Sequence, residues 1–153
     1  MTGTEGRADA GESRANRASA VPLGRLLAQA ERLLARRTEA ALAAHGLTVD
    51  QWRVLDLLAD GEGHTMSEIV AAIVVPGPTL TKIVDRLVDA AAVYRLVDAR
   101  DRRRVLAYLS ESGQALHARV GPDVAAAEEA ALSALGPDAP VLLDLLARLA
   151  DNR

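Results

Sequence analysis

The fold of this chain is decided by residues Val75 to Gly113, VPGPTLTKIVDRLVDAAAVYRLVDARDRRRVLAYLSESG. The stretch opens on Pro76-Gly77-Pro78, and proline fits the first turn of a helix but not its interior. The apolar residues that follow recur every three or four positions, which is the period of a helix. They are Leu80, Ile83, Val84, Leu87 and Val88.

The pattern changes after Ala92. Two segments, Val93–Val97 and Val105–Leu109, are rich in β-branched, aromatic and aliphatic residues, which is typical of strands. Between them lies a polar turn, Asp98–Arg104, that contains four arginines. A turn of this composition is too polar to be buried, and it suits phosphates and the edges of a DNA groove. The sequence therefore predicts a helix followed by a two-stranded hairpin with arginines at its tip.

Two capping boxes mark the starts of the preceding helices. In each, a threonine hydroxyl and a side chain three residues later satisfy free amide groups at a helix start. Thr48 and Gln51 open a helix that the glycines after Asp60 end, and Thr65 and Glu68 open a short helix through Ile73. A short helix, a turn and a longer helix make a helix-turn-helix, and the appended hairpin makes it winged.

Long apolar helices flank this core. Helical spacing of leucines predicts one helix over Pro22 to Ala44, which Gly46 ends. Another runs from Glu111 towards Leu135 with a bend at Gly121-Pro122, and Gly136-Pro137 separates it from a last helix. Their apolar stripes must be buried against something, and a second subunit is the natural candidate.

The chain thus divides by composition into a tail and two functional regions. Residues 1–20 have almost no apolar side chains and are predicted to be a disordered tail. Residues 47–110 are predicted to form the winged helix-turn-helix, and residues 21–46 and 111–153 a helical dimerisation region. The expected fold class is mainly α with a small β-hairpin wing (α+β).

Composition narrows the classes of function. The chain has 153 residues, half of them apolar, and no cysteine, which excludes disulfides and thiolate metal sites. We find neither an apolar signal core nor a run of about 18 apolar residues, so we expect a cytoplasmic protein without a membrane span. The net charge is −3, yet residues 76–104 carry seven basic and four acidic residues. A locally basic element on an acidic body fits DNA binding, although a solvated hairpin has the same pattern.

Three segments resemble the MarR family of bacterial transcription regulators across most of the chain. Leu47–Leu55 is similar to the opening of the family's second helix, and Thr79–Leu87 to its recognition helix. Asp101-Arg102-Arg103, followed by a strand and Leu109–Gly113, is similar to the family's wing and wing exit. One departure is that Asp89–Ala92 lacks the family's usual glycine, so we expect the recognition helix to extend slightly or to end without a left-handed cap.

The resemblance implies a homodimer that places each recognition helix in a major groove and each wing towards a minor groove of a near-palindromic operator. Arg103 matches the family's minor-groove arginine, and Asp101 matches the acid that holds it in place. Arg104 is expected to meet phosphate or solvent. The expected DNA contacts come from the recognition helix and the wing: Pro78, Thr79, Thr81, Lys82, Arg86, Arg102 and Arg103.

Several of these residues have a structural alternative. Arg86 is placed to pair with Asp85 or Asp89 within the helix. Trp52 suits a core position, since a single buried tryptophan needs no ligand to explain it. The family's ligand crevice makes His45 and Trp52 candidates for binding a small aromatic or anionic ligand. His64 and His117 are expected at the surface.

The functional prediction is a DNA-binding transcription regulator, a homodimeric repressor that a small molecule releases. The alternative is a winged-helix module that binds proteins and not DNA. We predict no enzyme, no cofactor and no metal site, because the sequence has no nucleophile set, phosphate loop or metal-binding histidine spacing.

Overall fold

The computed structural model describes residues 21–151, and the predicted tail, residues 1–20, lies outside them. The chain divides into two compact units after Arg36, and the winged core belongs entirely to the second unit. A 3-10 segment, Ser133–Asp138, joins the last two helices. The helices and strands are α1 (Leu23–Ala43), α2 (Val49–Leu58), β1 (His64–Thr65), α3 (Met66–Ile73), α4 (Gly77–Asp89), β2 (Val93–Val97), β3 (Val105–Leu109), α5 (Glu111–Leu132) and α6 (Ala139–Asp151).

Both predicted capping boxes are present. The Thr48 hydroxyl accepts from the Gln51 amide at 3.2 Å, and the Gln51 side chain accepts from the Thr48 amide at 2.9 Å. Thr65 and Glu68 make the same pair of hydrogen bonds at 3.3 Å and 2.7 Å. These caps fix where α2 and α3 begin, so the order of the helix-turn-helix follows directly from local sequence.

The hairpin is part of a three-stranded antiparallel sheet with the order β1-β3-β2. Strands β2 and β3 have the predicted bounds and pair Val93 with Leu109 and Val97 with Val105. Strand β1 was not predicted, because its two residues, which pair with β3, are too few to show an alternating pattern in the sequence.

A core of aliphatic side chains joins the sheet to the three helices of the winged region. Leu55 from α2, Ile69 from α3 and Leu80 from α4 are each fully buried there. A second cluster packs the end of α1 and α2 against α5. It consists of Leu42, Trp52, Val120 and Val124.

The expectation for the end of the recognition helix is wrong. Helix α4 does not extend, and a left-handed residue follows it, namely Ala91 with φ of 55°. The Ala91 amide donates to the Val88 carbonyl at 2.8 Å, and the Ala92 amide donates to the Leu87 carbonyl at 2.9 Å. This is the hydrogen-bond pattern of a Schellman motif, with alanine where glycine is usual.

The start of α5 is tied to this turn. The hydroxyls of Ser110 and Ser112 both donate to the Ala91 carbonyl at 2.6 Å, and the Ser110 amide donates to the Ala92 carbonyl at 3.0 Å. A β-carbon on Gly113 would lie 2.0 Å from the Ala92 carbonyl oxygen. Glycine is therefore required at this position by close backbone approach, which explains the Ser-x-x-Gly ending of the wing.

Both ends of the chain expose large apolar side chains. In α1, Leu23, Leu33 and Leu34 are exposed, and α6 exposes several more. One stretch, Glu111–Asp151, is long and apolar enough by composition to cross a membrane, and its most apolar window is wholly exposed. The expectation was a chain without a membrane span, since no run of about 18 apolar residues exists. Gly136 interrupts the stretch with a non-helical conformation.

Candidate nucleic-acid interface

Helix α4 separates apolar from polar residues cleanly. Leu80, Ile83 and Leu87 are buried, whereas Lys82 and Arg86 lie on the exposed face with Thr79. Within residues 21–151 neither Lys82 nor Arg86 forms an ion pair, so the alternative of an Arg86 pair with a helix aspartate finds no support. Two cations that lack a protein partner are available to phosphates or base edges.

The first turn of α4 contributes no charge. Pro78 is exposed there, and the Thr81 hydroxyl donates to the Gly77 carbonyl at 3.1 Å. That hydroxyl therefore stays able to accept a hydrogen bond but has used its only proton within the helix. A contact from Thr81 to a phosphate would require this bond to break, whereas a methyl contact would not.

The wing turn, Asp98–Arg104, is organised by its own aspartates. The Asp98 carboxylate accepts from the Arg100 amide at 2.8 Å, and the Asp101 carboxylate accepts from the Arg103 amide at 3.0 Å. Asp101 thus holds the backbone of Arg103. Among the described residues no ion pair joins it to the Arg103 guanidinium, so that side chain projects without a protein partner.

Two other arginines of the basic segment are already paired. Arg95 in β2 contacts the Asp85 carboxylate of α4 at 2.7 Å. Arg104 contacts Glu68 of α3 at 2.9 Å and Asp98 at 3.9 Å. The Arg104 side chain is 45% exposed and so meets solvent as expected, but it also pairs with an element 36 residues away in sequence. No local pattern could have revealed that pair.

Of the two candidate ligand residues, Trp52 belongs to the second apolar cluster, where α2 and the end of α1 meet α5. Trp52 is 7% exposed, so the prediction of a core position is confirmed. His45 contacts Asp123 of α5 at 2.8 Å. The Trp52 ring stacks on His117 with centroids 4.9 Å apart, and His117 in turn contacts Asp56 at 3.0 Å.

His64 and His117 lie at the surface only in part. Both side chains are about three-quarters buried, and each bonds to an aspartate. His64 bonds to Asp60 at 2.7 Å. Neither contact could be predicted from the sequence, because a non-helical turn joins Asp60 to His64 and 61 residues separate His117 from Asp56.

Hydrogen bonds from backbone amides lower the pKa of two carboxyl groups near the wing. The Glu62 amide lowers the pKa of Asp60, and the Thr65 amide lowers the pKa of Glu68, to which the nearby Arg104 adds a smaller effect. Both groups are therefore ionised near neutral pH. Across the described part of the chain, no group of three or more acidic or histidine side chains is arranged to hold a metal ion.

Comparison with known proteins gives consistent matches to this arrangement. The family model described as the MarR family matches residues 45–104, which includes the helix-turn-helix and most of the wing. The chain is 34% identical over 125 residues to the HTH-type transcriptional regulator FarR of Neisseria gonorrhoeae, covering 81% of this chain and 86% of that protein.

Solved structures match as well. The crystal structure of NadR in complex with 4-hydroxyphenylacetate superposes with a TM-score of 0.77 at 31% identity, covering 87% of this chain and 95% of NadR. The MarR family protein Rv2887 of Mycobacterium tuberculosis, in complex with p-aminosalicylic acid, gives a TM-score of 0.73 at 28% identity, covering 86% of this chain and 100% of that one.

Proposed function

This chain belongs to the MarR family and is a DNA-binding transcription regulator, and we propose that it acts as a homodimeric repressor that a small aromatic or anionic ligand releases from its operator. The winged region, residues 47–110, binds DNA, and the helices of residues 21–46 and 111–153 form the dimer. The repressor acts in the cytoplasm.

The observation that carries the DNA-binding part is the division of the basic residues. Arg95 and Arg104 are neutralised by acidic partners, whereas the other basic residues of this segment have no ion pair within residues 21–151. Unpaired guanidinium and ammonium groups on a recognition helix and a wing are the groups that displace counterions from phosphates. These residues are Lys82, Arg86, Arg100, Arg102 and Arg103.

The apolar ends support a dimer. Leu142, Leu145 and Leu149 of α6 are between 38% and 52% exposed, which is costly for a free protomer. Covering them with a second copy removes that surface from water. A dimer with a twofold axis places two recognition helices about one DNA turn apart, so the operator is a near-palindrome.

Ligand release is supported by what the relatives bind. NadR was solved with 4-hydroxyphenylacetate and Rv2887 with p-aminosalicylic acid, and both ligands are aromatic carboxylic acids. In this chain His45 and Trp52 lie where the winged region meets α5. A ligand held there shifts the population towards a spacing of the two recognition helices that does not match DNA.

The test is fluorescence anisotropy with labelled DNA from the region beside the protein's own gene, over a series of salt concentrations. We expect saturable binding, with Arg103→Ala weakening it and lowering the slope of log affinity against log salt by about one. Arg119→Ala is the matched control, because Arg119 is an exposed arginine of α5 outside the basic segment, and it should leave the slope unchanged.

Two results would contradict the proposal. If Arg103→Ala and Arg119→Ala change the DNA affinity equally, the wing is not part of the DNA interface. A shallow salt slope with the wild-type protein would favour the alternative of a protein-binding module. For the ligand part, 4-hydroxyphenylacetate and salicylate should weaken the DNA affinity, and His45→Ala should reduce that effect without changing binding in their absence.

A further inference from the structure

Packing and strand pairing hold the wing as far as Leu106, which is 9% exposed and pairs with Thr65 of β1. At the end nearest the helices, Val93 and Leu109 are 2% and 6% exposed. At the end nearest the wing turn, Val97 and Val105 are 58% and 47% exposed. Burial and strand pairing therefore fix the hairpin up to Leu106 but not the direction of the wing turn beyond Val97 and Val105.

Arg95 joins the middle of β2 to Asp85 of α4, and a separate ion pair joins the wing turn to α3. Arg104, the last residue of the wing turn, contacts Glu68 in the first turn of α3 at 2.9 Å. Its guanidinium also lies 3.9 Å from the Asp98 carboxylate, and its amide donates to the Asp101 carbonyl at 2.9 Å. Arg104 is thus attached on one side to the wing turn and on the other to α3.

Glu68 uses its two carboxylate oxygens for two different purposes. Oε2 accepts from the Thr65 amide at 2.7 Å and completes the capping box, and Oε1 accepts from Arg104 at 2.9 Å. The carboxylate that binds Arg104 is therefore held in place by the capping box at the start of α3. Because the two contacts use different oxygens, a glutamine in the same conformation would keep only one of them.

We propose that Arg104 is a positioning residue: its ion pair with Glu68 sets the direction of the wing turn, Asp98–Arg104, relative to the helix-turn-helix. Arg102 and Arg103 directly precede Arg104, so this pair determines where both meet DNA. The proposal rests on the DNA-binding function proposed above. It gives an arginine in the most basic part of the chain a role other than touching phosphate.

The variant Glu68→Gln separates positioning from simple electrostatics. Glutamine at this position keeps the capping box, because its single carbonyl oxygen still accepts from the Thr65 amide. Its amino group then faces Arg104, which removes the ion pair. Loss of an acidic charge beside the wing should by itself tighten DNA binding, whereas loss of positioning should weaken it. The two explanations predict opposite signs.

Glu62→Gln is the matched control. Glu62 lines the same cleft as Glu68 and Arg104, and its side chain forms no ion pair among residues 21–151. We expect Glu68→Gln to weaken affinity about three- to five-fold, the size of effect expected from an exposed ion pair. Glu62→Gln should leave affinity unchanged or tighten it less than about two-fold.

A measurement without DNA makes the test independent of the proposed function. Because the chain has no cysteine, Ala72→Cys in α3 and Ala99→Cys in the wing turn allow two spin labels to be attached without further changes. Labelled protein is diluted into unlabelled protein so that distances within one protomer dominate. Pulsed electron resonance should give a narrow distance distribution in the wild type and a broader one in Glu68→Gln, but not in Glu62→Gln.

Either of two results would overturn the proposal. One is an unchanged distance distribution in Glu68→Gln, and the other is DNA binding as tight as that of Glu62→Gln. If the distribution broadens but the wild type binds no DNA, the positioning of the wing stands and the proposed function fails.

Discussion

Replacing Ala91 with glycine should stabilise this protein. Ala91 follows the recognition helix with φ of 55°, in the left-handed region that an L side chain rarely adopts. Its amide already completes the helix-ending hydrogen-bond pattern, and its carbonyl accepts from two serine hydroxyls. Glycine preserves all of these backbone bonds and removes the β-carbon that disfavours the conformation.

The size of the effect follows from two opposing contributions. An alanine in the left-handed conformation costs about 1–2 kcal/mol. Glycine makes the unfolded chain more flexible, which offsets about 0.4–1 kcal/mol of that gain. The net increase in the free energy of unfolding should be about 0.5–1 kcal/mol, and a change of 1 kcal/mol raises the Tm of a chain this long by about 2–4 °C.

Urea unfolding followed by circular dichroism measures this change, at one fixed protein concentration because dissociation of a dimer contributes to stability. Ala90→Gly is the matched control, since Ala90 precedes it with φ of −79°. There glycine adds only flexibility and should destabilise by about 0.5–1 kcal/mol. Equal destabilisation by Ala90→Gly and Ala91→Gly would refute the argument, because it would show that Ala91 carries no conformational strain.

Three further outcomes are expected. Gly113→Ala should destabilise the protein by about 1–3 kcal/mol in urea unfolding, since its β-carbon would lie 2.0 Å from a backbone oxygen, and wild-type stability would refute that contact. Because the pKa of Glu68 is lowered in the folded protein, its carboxylate stabilises the fold at pH values above its ordinary pKa of 4.5. This stabilisation is lost as the pH falls through the lowered pKa. In an acid titration between about pH 5 and pH 3, Glu68→Gln should therefore lose less stability than the wild type. In anisotropy salt series, Lys82→Ala should lower the slope by about one, whereas Arg95→Ala should change it less because Arg95 is already paired; equal changes would contradict this difference.

The elements that sequence analysis predicted best are those specified by neighbouring residues. The capping boxes at Thr48 and Thr65, the bounds of β2 and β3 and the break at Gly136 all agree with the structure. Each depends on hydrogen bonds or backbone preferences that span at most five residues, so a short window of sequence contains the whole cause.

The end of α4 departs from the prediction because contacts from distant residues act on it. The lack of glycine after Asp89 suggested that no left-handed residue follows the helix. In the structure Ala91 adopts that conformation because Ser110 and Ser112 bind its carbonyl and Gly113 packs against the next one. Contacts from about 20 residues away override the local preference of alanine.

The sequence alone determined the architecture of this protein: the order of the helices, the hairpin, the locally basic segment and the apolar faces that need a partner. Only the tertiary structure decided which basic residues remain free. Arg103 and Arg104 are adjacent and chemically identical, yet only Arg104 reaches Glu68. An ion pair depends on the distance between two side chains, and here the fold sets that distance by bringing together elements far apart in the chain.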